Sequence, residues 1–175
     1  MKKRITIEEY NIKWESEFNK LQIIINNAME EFVLSVEHVG STAVKGLVSK
    51  PILDIDIVIE DYEIFPEVVT KLEAIGYYYQ TEWSCKGREA FGRKDVFVPW
   101  DGESTVWMEH HLYVCDKNSE ELRKHIAFRD YLREHEDVAA EYGSLKKELA
   151  RESKNRASYS EGKTAFITNI LGEIN

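Results

Sequence analysis

Two aspartates one residue apart, Asp54 and Asp56, interrupt the stretch PILDIDIVI at 51–59, which otherwise has the composition of a buried strand. Side chains of a strand alternate faces, so Asp54, Asp56 and Val58 share one side and Ile55, Ile57 and Ile59 the other. The isoleucine face belongs to the core. The aspartate face cannot be both dry and unpaired, because a buried carboxylate without partners is too costly, and two like charges on neighbouring same-face positions repel. A divalent cation resolves both conflicts. Mg²⁺, with Mn²⁺ as its substitute, takes hard oxygen ligands, keeps waters and completes its shell with substrate phosphates. The competing reading is a solvent-facing strand whose aspartates meet water and lysines. If a cation is the answer, the unliganded protein carries a repulsive doublet, and Asp54→Asn is expected to leave it as stable or slightly more stable.

Neighbouring residues bear on the choice. Gly40 and Ser41 follow the strand-like segment Val33–Val39. Glycine permits close approach of backbone to a ligand, and the amides of a following helical turn can hold phosphate. Asp54 and Asp56 are accordingly expected to face a common solvent-accessible cleft beside Gly40 and Ser41. Lys45 and Lys50 lie between the two motifs, either as counter-charges for an anion or as solvated surface lysines. In the segment Thr105–Cys115, Met108, Leu112 and Val114 read as the core face, leaving Glu109, His111 and Tyr113 opposite. If that strand pairs with 52–59, Glu109 or His111 completes a metal site. His111 is the best functional histidine, able to bind metal, donate to phosphate or act as a base. His110 falls on the apolar face and reads as a satisfied core residue, and His38 divides evenly between facing the site and packing. Arg88, Arg93 and Lys94 form either a cationic rim or a solvated hairpin. Lys146, Arg129 and Lys163 reach a phosphate only if their helices border the cleft, and surface or salt-bridged roles are the alternative. Tyr159 and Lys163, four apart, share a helix face.

The elements that must position these residues are legible in outline. Trp14, Phe18, Leu21, Ile25, Met29 and Phe32 recur at three- and four-residue steps, predicting an amphipathic helix over 11–32. Strands are predicted at 33–39, 52–59, 77–83, 90–98 and 105–115, with a helix over 61–75 closed by Gly76. Ser41 and Thr42 cap a turn of helix through Val44. Beyond Asp116 the pattern is helical, over 119–134, 136–154 and 160–171. A helix, a β-rich middle and a run of helices is an α+β arrangement, a mixed sheet with helices packed on it. One domain spans 1–175, with about 117–175 as its helical C-terminal part.

Composition narrows the function. The chain has 23 basic and 32 acidic residues, a net charge of −9. That field repels a phosphate backbone and argues against bulk nucleic acid, while leaving a small anion that local cations or a metal can hold. No stretch is long and apolar enough to span a bilayer, and no apolar segment follows the basic start, so a cytoplasmic protein without membrane partners is expected. Cys85 and Cys115 make no metal pattern and are read as free thiols, a disulfide being the alternative. No Walker loop, GxGxxG or nucleophile triad occurs.

A strand, then Gly-Ser, then about a dozen residues, then Asp-hydrophobic-Asp-hydrophobic resembles the signature of the nucleotidyltransferase (polymerase-β-like) superfamily. More narrowly, HVGSTAV, KGL, SKPILDI, HHLYV at 110–114, AFRDYLREHED at 127–137, AAEYGSLKKELA at 139–150, and Tyr159 with Lys163 resemble the GrpB family of small bacterial proteins, over about residues 10–171. The resemblance implies a nucleotidyltransferase-type mixed sheet flanked by helices. It also implies Gly40 and Ser41 as the phosphate turn, Asp54 and Asp56 as the Mg²⁺ pair, and a third carboxylate from a later strand. Glu109 stands as third metal ligand on strand geometry, with His111 beside it among the catalytic residues. Lys45, Lys50, Arg93 and Lys146 are the further phosphate contacts. Lys45 departs from the pattern, in which proline commonly follows GSTAV. The function so implied is Mg²⁺-dependent binding of an NTP or another phosphorylated small molecule, with nucleotidyl transfer to an acceptor. A binding module that keeps the fold without activity is the alternative.

Overall fold

The computed structural model describes residues 5–174. In chain order the elements are α1 (Lys13–Met29), β1 (Ser35–Val39), a 3-10 turn (Ser41–Ala43), β2 (Leu53–Ile59), α2 (Phe65–Ala74), β3 (Tyr77–Cys85), β4 (Arg88–Arg93), β5 (His110–Asp116), α3 (Glu120–Glu134), α4 (Glu136–Glu152) and α5 (Arg156–Ile174). The five strands form one mixed sheet in the order β1-β2-β5-β4-β3. Only β2 and β5 run parallel, and the other three pairings are antiparallel.

The isoleucine face of β2 carries the main core. Ile55, Ile57 and Ile59 are fully buried against Trp14, Phe18, Leu21, Ile25 and Met29 of α1 and Val68 and Leu72 of α2. The α1 residues are those whose spacing predicted an amphipathic first helix. The opposite face of β2 lies under the C-terminal helices. There Val58 and Cys115 pack on Leu122 of α3, while Val44 and Leu47 pack on Leu132, Ala139 and Tyr142 of α3 and α4. The aspartates are therefore on the side that receives the late helices.

Several predicted boundaries shift for local reasons. The first helix ends at Met29 rather than 32, because Glu30 adopts φ 52° and a 3-10 turn over Glu30–Phe32 follows. The strand expected over 90–98 stops at Arg93, whose side chain donates to the carbonyls of Val96 and Val98 and folds that segment into a loop. The strand expected from Thr105 begins at His110. Trp107 instead donates through its amide to Val96 and through its indole to Pro99, tying 105–109 to the same loop. Gly76 closes α2 as expected, at φ +100°, where a Cβ would stand 2.6 Å from the Val98 side chain and 2.8 Å from the Trp100 ring. The last helix begins earlier, at Arg156 rather than 160. Cys85 is exposed and Cys115 buried, and both are free thiols.

Candidate active site

The Gly40 turn and the aspartate strand meet directly. Val39, at the end of β1, pairs with Asp54 in the antiparallel register. Gly40 then turns away at φ +73°, and a Cβ there would stand 2.5 Å from Asp54 Oδ2. Only glycine tolerates both the left-handed backbone and that proximity. Across the sheet His111 of β5 pairs with Asp54 and donates from Nδ1 to Oδ1 at 3.1 Å.

The two aspartates have different surroundings. Asp54 is partly exposed and lines a cleft of about 200 Å³ with Ser41, Ser49, Lys50 and His111 on the sheet side. Lys146 of α4 and Arg156, Tyr159, Ser160 and Lys163 of α5 close the other side. Asp56 does not share that exposure. It is completely buried beneath α3, where Oδ2 accepts from His125 Nδ1 at 2.6 Å and Oδ1 has no partner. The expectation that both aspartates face one open cleft thus holds for Asp54 alone, because α3 crosses the sheet over Asp56 and Val58.

The cations of the cleft differ in exposure: Lys146 is buried, Lys50 and Lys163 are half-buried, and Arg156 is exposed. Lys50 Nζ stands 4.2 Å from the centre of the Tyr159 ring and Lys163 Nζ 4.6 Å from the same ring. Lys146 is 2% exposed, donates to the Val48 carbonyl, and lies 4.7 Å from the Tyr142 ring. Burial pushes Lys146 down to about 7, with the Lys163 charge adding and Asp54 opposing. Lys50 falls to about 8, again through burial first and then Lys163 and Arg156, with Asp54 opposing. Lys163 is lowered by burial, against Asp54. Lys50, Lys146, Arg156 and Lys163 thus converge on one accessible carboxylate, Asp54.

Other expected residues lie elsewhere. Glu109 is exposed, precedes β5, accepts from the Leu53 amide through its carbonyl, and its charge acts on Arg93. Among the described residues no three His, Cys, Asp or Glu side chains are grouped to hold a metal, so Glu109 does not stand with the aspartate pair. Arg93 is committed to the 96–98 carbonyls. Lys45 lines a separate cavity of about 980 Å³ on the other side of the 41–50 loop, between α1 and α4. Arg88 stacks on Tyr113 at 4.4 Å and Lys94 lies 5.5 Å from the Trp100 ring, so neither rims the cleft. His38 packs on Phe18 and bonds Thr42, and burial lowers it to about 4. His110 is a satisfied core residue. Its Nδ1 donates to the Met108 carbonyl at 2.8 Å, so Nε2 accepts the Tyr77 hydroxyl at 2.6 Å.

Sequence reasoning missed Arg156, Ser160 and Ser49 in the cleft and His125 on Asp56. A signal existed for two groups. Arg156, Tyr159, Ser160 and Lys163 share one face at helical spacing, as do His125, Arg129 and Arg133.

Residues 4–173 match the family model described as GrpB protein. The chain belongs to the GrpB family. It is 32% identical over 177 residues to the glutamate-rich protein GrpB of Alkalihalophilus pseudofirmus, covering 99% of this chain and 97% of that one. It is 28% identical to the UPF0157 protein YqkA of Bacillus subtilis, covering 95% of this chain but only 46% of YqkA. The crystal structure of conserved protein GrpB from Enterococcus faecalis superposes with a TM-score of 0.79 at 32% identity, over 97% of this chain and 96% of that one. Cid1 in complex with the UTP analogue UMPNPP superposes with a TM-score of 0.57 at 12% identity, over 88% of this chain and 48% of Cid1. At that identity the likeness concerns the fold, and it places this GrpB chain among nucleotidyltransferase-like α+β folds, as its resemblance implied. Among the described residues no helix is long and apolar enough to cross a membrane.

Proposed function

We propose that this GrpB-family chain binds an NTP, or another phosphorylated small molecule, together with Mg²⁺ or Mn²⁺, and moves a nucleotidyl group to an acceptor. The observation carrying this reading is the packing of the Gly40 turn on Asp54 at the mouth of a cleft that Lys50, Lys146, Arg156 and Lys163 surround. Asp54 and Asp56 are the metal ligands. The partnerless, buried Oδ1 of Asp56 fits that role, since such an oxygen is costly without a cation or donor. When bound, the ion supplies Lewis-acid stabilisation of phosphoryl charge.

The chain's own groups do the rest. Gly40 lets the turn approach the phosphates, Ser41 and Ser160 offer hydroxyl donors, and the lysines and Arg156 offset charge that grows as the bond to pyrophosphate breaks. An acceptor oxygen attacks the α-phosphorus in line, pyrophosphate departs, and the acceptor gives up its proton. His111, already turned to Asp54, lines the cleft and serves as the base.

A second reading, a binding module without transfer, is favoured by the position of Glu109 outside β5, which leaves the aspartate pair without a third carboxylate from that residue. One experiment separates them: titration with ATP, GTP, CTP and UTP plus Mg²⁺, followed by an assay for pyrophosphate. Binding with release on adding cell extract supports transfer, binding without release in any condition supports the module, and no binding removes both.

A further inference from the structure

Helix α3 carries His125, Arg129 and Arg133 four residues apart and hence on one face. Each meets a different part of the site. His125 holds Asp56 Oδ2 at 2.6 Å. Arg129 donates to Glu37 at 3.0 Å and to the His38 carbonyl at 3.1 Å, gripping the end of β1 just before Gly40. Arg133 donates to the Ala43 carbonyl at 2.9 Å, just past the turn. One helix face therefore spans the buried aspartate and both ends of the phosphate turn. Arg129 is itself largely buried, with its side chain 12% exposed.

We infer that His125 is the positioning residue for Asp56 as a metal ligand. The inference rests on the metal reading above. A carboxylate at the floor of a sheet can rotate about its terminal bond, and in Asp56 rotation is stopped because one oxygen is taken by the His125 N–H. The other, Oδ1, is fully buried and free of protein partners, and it is the oxygen left to present to a cation beside Asp54. Ligand carboxylates of metal sites are oriented by such hydrogen bonds, and losing one typically costs about 10–100-fold in metal affinity. Strand β2 alone sets where the Asp56 backbone stands; α3, held in place by Arg129 and Arg133, sets which of its two oxygens is taken by a protein donor and which is left without one.

The test uses Mn²⁺ alone, without nucleotide, with free ion followed by electron paramagnetic resonance on the full chain. The variants are His125→Ala, His125→Phe, which keeps a ring without an N–H, and His125→Asn, whose amide nitrogen can stand in for Nδ1. Circular dichroism and melting temperature are recorded for each. Saturable Mn²⁺ binding by the wild type, weakened about 10–100-fold in the folded Ala or Phe variant and restored to within about threefold by His125→Asn, is the expected result. A merely structural histidine would lower the melting temperature and leave Mn²⁺ affinity unchanged; that outcome, or a folded His125→Asn that fails to restore binding, overturns the inference while the metal reading stands. A wild type that binds no Mn²⁺ overturns the metal reading and the inference with it.

Discussion

Gly40 and Asp54 are in contact across the β1–β2 junction, so close that a methyl group on Gly40 would stand 2.5 Å from Asp54 Oδ2. The residue also sits at φ +73°, where a Cβ is strained. Gly40→Ala should therefore destabilise the fold by about 1–3 kcal/mol, read as a lower midpoint in urea. It should also abolish any rise in melting temperature on adding nucleotide and Mg²⁺, because the Asp54 carboxylate must move to make room.

Asp54→Asn should lower, not raise, the stability of the unliganded protein. Mutual repulsion of the pair suggested the opposite from sequence. In the structure Asp56 is turned to His125, and Asp54 is the counter-charge whose field opposes the depression of Lys50, Lys146 and Lys163. Because Asp54 is partly exposed, the loss should be about 1 kcal/mol, measured by denaturation at low salt. With nucleotide and Mg²⁺ near a hundredfold Kd, the wild type should gain about 2.7 kcal/mol and Asp54→Asn nothing.

The buried lysines give the unliganded protein a pH dependence of definite sign. Lys146 at about 7 and Lys50 at about 8 lie below the ordinary lysine value of 10.5. Between those limits the unfolded chain binds more protons than the folded one, so stability rises with pH. The Lys146 contribution is present above 10.5 and lost as pH falls to about 7. Over that window it approaches about 1.4 kcal/mol per pH unit, or about 2–4 °C per kcal/mol for a chain of this size. Lys146→Met should flatten the melting-temperature slope between about pH 7.5 and 9.5. Phosphate binding should show the reverse trend, weakening over the same range as the amines lose charge.

At the acid end two histidines act. His38 and His110 are each lowered by burial from 6.5 to about 4. Their stabilising contribution is complete above 6.5 and is lost as pH falls toward about 4. Tyr77→Phe removes the hydroxyl that donates to His110 Nε2 inside the core, and should cost about 1–3 kcal/mol at neutral pH in a chemical denaturation series.

Much of the site was legible because its signals are local. Alternation along 52–59 separates Asp54 from the isoleucines without any knowledge of neighbours. A glycine and serine after a short strand mark a turn, and the apolar spacing from Trp14 to Met29 fixes the face of α1 that is buried. His110 reads as core from the parity of its strand alone, and the structure agrees.

What lay beyond the sequence depends on contacts between distant segments. Parity says that Asp54 and Asp56 share a face, but only the crossing of α3 decides that one is open and the other sealed. His125 reaches Asp56 across a separation of 69 residues, and Arg129 reaches Glu37 across 92. Lys50, Lys146 and Lys163 become one cluster only when α4 and α5 fold over the 41–50 loop, where lost hydration lowers their affinity for protons. Local spacing determines the direction of each side chain from its own backbone. Which groups share a space, how dry it is and which charge answers which are fixed by packing, because desolvation and Coulomb energy depend on distances that no single segment contains.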